Sequence, residues 1–145
     1  MNFTKIAAAL IATSAVAFAG VSAQTMKSDA MASVLQSAQL TTVSAPTTGT
    51  LEIVQNTDGT RSLKLQNLKT EAGPDLHVYL YAAAVPAKDG KNIKSVKYVD
   101  LGKLAAPFKG NYSYKIASNV KLTDFKSVII WCDVASVTFG GANLK

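Results

Sequence analysis

From Gly49 onward, apolar residues return at every second position, and no stretch of helical periodicity competes with them. A period of two puts alternate side chains on opposite faces of an extended chain. In GTLEIVQ, Leu51 and Ile53 alternate with Glu52 and Val54. In RSLKLQNL, Leu63 and Leu65 alternate with Lys64 and Gln66. Between them lies Asp58-Gly59, a pair that turns hairpins because glycine accepts positive φ. Further strand-like runs are LHVYLYAA (76–83), VKYVDLG (96–102), NYSYKIA (111–117), SVIIWCDV (127–134) and the closing SVTFGGANL. Turn residues punctuate them: Gly73-Pro74-Asp75, Pro86, Asp89-Gly90, Gly102, Pro107, Gly110 and Gly140-Gly141. Many short strands with such punctuation predict an all-β fold, an antiparallel β-sandwich or a barrel-like domain. SVIIWCDV is apolar on both faces, so both are expected to be covered.

The 145-residue length suggests one domain, and its first part does not read as fold. MNFTKIAAALIATSAVAFAGVSA has a single early charge, Lys5, then an apolar run, then the small residues Val21-Ser22-Ala23. This pattern is that of a secretory signal peptide over residues 1–23, cleaved after Ala23. The apolar run is short of the roughly 20 residues that spanning needs, so no membrane span is expected after cleavage. Residues 24–48 are rich in Ser, Thr, Ala and Gln and read as a flexible tether, with one weak helical turn near 30–40. The β domain is then expected over 49–145, in a secreted or periplasmic protein. Lys and Arg total 15 against 9 Asp and Glu, a net charge of +6. The lysines are scattered, as befits solubility and guarded sheet edges. No interleaved arginine and aromatic pattern points to nucleic acid.

Cys132 is the only cysteine and Trp131 the only tryptophan. One cysteine forms no internal disulfide, so in an oxidising compartment it is sheltered, paired with another molecule, or used. A regular strand puts Val128, Ile130, Cys132 and Val134 on one face, and Ile129, Trp131 and Asp133 on the other. One histidine, His77, excludes a multi-histidine metal centre, and one cysteine builds no structural zinc site. No metal site is expected. No phosphate-cradling glycine loop and no nucleophile elbow occurs, which disfavours ordinary hydrolases. Cys132 and His77 are both residue types that ligate haem iron. Asp75 follows Gly73-Pro74 as a turn aspartate, and Asp133 stands beside the thiol.

Four segments carry a resemblance: GTLEIVQ, GPDLHVYLY, VDLGKLAAPFKGNYSYKI and FKSVIIWCDVASVTFGGANL. In that order, from about Gly49 to Leu144, they resemble the DM13 domain family. Trp131-Cys132 at the end of the ordered series is the most specific part. The resemblance implies a β-sandwich-like domain of secreted and surface proteins. It implies a role in electron transfer or oxidative modification of extracellular proteins. The family's hallmark cysteine falls on Cys132 and is suggested to act as a bare thiol or as ligand to a prosthetic group such as haem. No redox domain is fused here, which leaves the electron donor or acceptor to a separate partner.

Two functions follow as expectations. The first is a small redox accessory module rather than a stand-alone enzyme. Cys132 would be its thiol or ligand, Trp131 its shield, and Asp75, His77 and Asp133 its neighbours. The second is a non-catalytic binding or adhesion domain. Tyr79, Tyr81, Tyr112 and Tyr114 would then supply an aromatic contact face, unless they pack within the sheets. Covalent dimerisation through Cys132 is a third, opposed by a strand-interior position.

Overall fold

A computed structural model describes residues 32–88 and 93–145. The signal peptide expected over 1–23, the first part of the tether and the Asp89-Gly90 turn lie outside the described residues. Among the described residues the chain forms nine strands, all paired antiparallel, and no helix long and apolar enough to cross a membrane. Four of them, β1 (Ser33–Gln39), β3 (Thr48–Gln55), β4 (Arg61–Lys69) and β7 (Lys109–Ile116), form one sheet in the order β1-β3-β4-β7. The others are β2 (Thr41–Thr42), β5 (Leu76–Tyr81), β6 (Tyr98–Lys103), β8 (Ser127–Cys132) and β9 (Val137–Asn143). They form a second sheet in the order β2-β9-β8-β5-β6. The architecture is the sandwich that the alternating pattern predicts.

Register explains the core. The β3–β4 hairpin turns at Asp58-Gly59, where Gly59 has φ +90° and Asp58 Oδ1 accepts hydrogen bonds from the Thr60 amide and hydroxyl. This turn sets Leu51 opposite Leu65 and Ile53 opposite Leu63, so all four point inward. In the second sheet Leu76 faces Cys132, Val78 faces Ile130 and Leu80 faces Val128. The two inward sets meet in one cluster with Tyr114, Ile116 and Phe125. Each fully buried aliphatic side chain contributes about 1.5–3 kcal/mol.

A second, smaller apolar layer covers the outer face of the five-stranded sheet. The β5–β6 connection brings Ala83, Val85, Ile93 and Val96 over Tyr79, Tyr81, Ile129 and Trp131. Every residue of β8 is therefore buried, three side chains into each layer's side of the sheet. The double-sided apolar run of SVIIWC is thus explained.

The domain starts earlier than Gly49. Residues Ser33–Gln39, expected as tether with a helical turn, form β1 and pair with β3 from Ser33 opposite Gln55 to Gln39 opposite Thr50. Thr41 and Thr42 pair with Gly141 and Gly140, and Leu40, Ala45 and Thr47 are buried. Polar residues at the outward positions of an edge strand hide its period, which is why the composition suggests a linker. Val134 also departs from expectation. β8 ends at Cys132, and Val134 stands in the following turn with 68% of its surface exposed.

Candidate functional site

Strand β8 divides the expected site residues between two environments. Residues directly opposite on paired strands share a face. Leu76 opposes Cys132, and both point into the core between the sheets. His77 opposes Trp131, and both point to the outer face. Cys132 has no solvent exposure and packs in the main apolar cluster. Trp131 therefore does not screen the thiol on its own face, because the plane of the sheet lies between them. Reactive thiols occupy partly exposed, electropositive surroundings, whereas Cys132 is buried among apolar side chains.

The same division bears on the haem that the family's hallmark cysteine suggests. A haem iron on Sγ would have to stand within the packed core, and interiors at crystal-like density leave no room for a macrocycle. His77 lies across the sheet and does not complete such a site. Cys132 and His77 thus do not fit a shared iron.

The outer face gathers charge instead. His77 Nε2 lies 3.1 Å from Asp75 Oδ1, and its Nδ1 lies 2.9 Å from Asp100 Oδ2. Neutral imidazole has one N–H, so both contacts are donations only when the ring holds two protons. The carboxylates sit at opposite ring nitrogens, so His77 bridges them. Lys103 Nζ reaches Asp75 at 3.3 Å, and Asp100 Oδ1 accepts from the Gly102 amide at 2.9 Å. Among the described residues no group of three or more His, Cys, Asp or Glu is placed to hold a metal ion.

Asp133 forms a second junction. Its Oδ1 accepts from Lys94 Nζ at 2.6 Å and from the Trp131 indole N–H at 3.0 Å. These donors, Lys94 first, hold its carboxyl below the usual carboxylate range, and Asp133 in turn raises Lys94. The Asp133 amide also donates to the Asp75 carbonyl at 2.9 Å, which ties the two junctions together.

Aromatic rings run between them. Tyr98 and Tyr79 stack at 4.6 Å between centroids with planes 22° apart. Tyr79 and Trp131 follow at 6.5 Å and 25°, and His77 lies 6.1 Å from Tyr79. Tyr98 is half-buried, whereas Tyr79 and Trp131 are 3% and 2% exposed. Burial pushes the Tyr79 phenol up to about 12. The row thus begins near solvent and ends at the indole bonded in sequence to Cys132.

Of the expected site residues, the structure brings Asp75, His77, Trp131 and Asp133 together and sets Cys132 apart. Reading the sequence missed Asp100, Lys94, Lys103, Tyr79 and Tyr98 as their neighbours. Asp100 and Tyr98 stand in VKYVDLG, a recognisable strand, but its pairing with β5 is set by a connection whose length hides it. The tyrosine contact face does not form. Tyr79 and Tyr81 lie under the β5–β6 connection on the five-stranded sheet. Tyr112 and Tyr114 pack against the main core, with hydroxyls donating to Ala105 and Lys103 carbonyls. All four pack within the fold, so the binding reading loses its aromatic surface.

A family model described as electron transfer DM13 matches residues 39–144. The match begins at Gln39, the last residue of β1, and so takes in β2 and the buried turn before β3. No curated protein and no solved structure matches the chain. With a sandwich fold, a buried Trp131-Cys132 pair and a match over nearly the whole described domain, the chain belongs to the DM13 family.

Proposed function

We propose that this domain serves electron transfer by passing single electrons along the outer face of its five-stranded sheet, between Tyr98 and Trp131. The observation that carries this reading is the unbroken ring row, Tyr98 on Tyr79 at 4.6 Å and Tyr79 to Trp131 at 6.5 Å. Electron tunnelling decays steeply with distance, so rings in contact make the easy steps. The sealed thiol offers no comparable entry.

Trp131 is where the electron vacancy rests. Tyr79 is buried and keeps its proton at neutral pH. The indole N–H instead donates to a carboxylate that Lys94 keeps ionised. An oxidised metal centre on a partner molecule, docked near Tyr98, takes one electron and is reduced by one. Trp131 loses that electron and becomes a radical cation, which keeps its Nε1 proton and whose charge the hydrogen-bonded Asp133 carboxylate offsets. A one-electron reductant then restores the neutral ring. Cys132 takes no part in this exchange.

Flash photolysis with a soluble ruthenium polypyridyl oxidant and a sacrificial acceptor tests the path. Trp131 is the only tryptophan, so its radical is unambiguous in transient absorption. Wild-type protein should form the indole radical, and Tyr98→Phe and Tyr79→Phe should each slow it, because phenylalanine resists oxidation. Equal rates in all three proteins, or no indole radical, would defeat the proposal.

A further inference from the structure

We infer that β1 is a self-association edge, at which a second copy of this chain pairs antiparallel, β1 against β1, to join two four-stranded sheets into one. Among the described residues the sheets end at β1 and β7 and at β2 and β6, and these edges differ in how they are guarded. β7 carries Lys109 and Lys115, β6 carries Asp100 and Lys103, and β2 is two residues long. Charge and shortness are the usual protections of a sheet edge. β1 has neither, only one irregularity between Val34 and Gln36: SVLQSAQ is seven residues long and uncharged. Two of the three exposed large hydrophobic residues among those described, Val34 at 55% and Leu35 at 43%, lie on it. Beside them opens a groove of about 340 Å³ lined by Leu35, Leu122, Phe125 and Leu144, with Lys126 and Lys145 also on its wall.

Charge selects the occupant. The chain carries a net +6, so two copies repel across most pairs of surfaces. A neutral strand meeting its own copy escapes that repulsion. A two-fold axis makes such a contact isologous and forces antiparallel pairing. With the axis at Gln36, Val34 opposes Ala38, Leu35 opposes Ser37 and Ser33 opposes Gln39. Every opposition is neutral, and a large residue meets a small one at the two inner positions. The pairing of β1 with β3 is irregular between Val34 and Gln36 and regular from Gln36 to Gln39, so a straight half of the strand is offered outward. Gln36 is held at the axis by two hydrogen bonds to the Lys145 backbone, at 2.7 and 3.1 Å.

The test is the solution mass of the full chain by light scattering over a concentration series, with charge placed on β1. The wild type should reach twice the mass of one chain. Leu35→Lys with Ser37→Lys sets like charges opposite each other and should abolish the dimer, as should Leu35→Glu with Ser37→Glu. An equimolar mixture of the two double variants should restore it. Both positions are exposed, and circular dichroism checks that each variant keeps its strands. A wild type that stays at the mass of one chain overturns the inference. So does a dimer that the charged variants leave intact, or a mixture that stays monomeric.

Discussion

Asp133 is the residue on which the outer face turns, because one oxygen accepts from both Lys94 and the Trp131 indole. A depressed carboxyl stabilises the fold above its unfolded value, near 3.9, and loses that contribution as pH falls through its lower folded value. Lys94, raised by the same contact, loses its share only at alkaline pH. Asp133→Asn should therefore melt below wild type at neutral pH, with the gap closing as the pH falls below about 4. Thermal unfolding followed by Trp131 fluorescence reads this directly. A gap constant from neutral to acid pH would show that the charge does not matter. The sequence places Asp133 beside Trp131 but gives no hint of Lys94. That lysine stands 39 positions away and reaches the carboxylate only through the β5–β6 connection.

At the scale of elements, β8 and β9 show what a strand's composition reveals and conceals. The apolar run of β8 announces cover on both faces, and the structure supplies it from the main core and from the β5–β6 connection. β9 contributes Gly140, which lets the buried segment through Thr47 approach closely, and Gly141, which lies against the β8 backbone at Val128 and Ile129. A Cβ on Gly140 would stand 2.5 Å from Thr47 Cβ and 2.6 Å from the Thr41 carbonyl oxygen. The backbone oxygen has little freedom to yield, so Gly140→Ala should cost about 2 kcal/mol or more by overpacking. Gly59→Ala meets no atom within 4 Å and strains only its φ of +90°, so it should cost about 1 kcal/mol. Denaturant midpoints compare the two, and equal costs would contradict the close approach. The strands from β3 to β9 are legible because their inward positions are apolar and their turns carry Gly, Asn or Asp. β1 is not, because its exposed, polar pattern imitates a linker and its pairing with β3 is written in neither segment alone.

At the scale of the whole described domain, the fold is a sandwich with an extra apolar layer on one side, and that layer decides how its chemistry is distributed. Sequence order with Trp131-Cys132 at its end identifies the family, yet adjacent positions in a strand face opposite ways. The expected neighbours of the thiol are therefore real neighbours of one another and not of the thiol. The electron path assigned to the outer face stands on this division. Thiol labelling of the native protein with an aromatic disulfide reagent measures it most directly. Cys132 should react about a thousandfold or more slowly than in the unfolded chain, with labelling rising only through the unfolding transition in denaturant. Prompt, stoichiometric reaction in native buffer would place the sulfur at the surface and contradict the account.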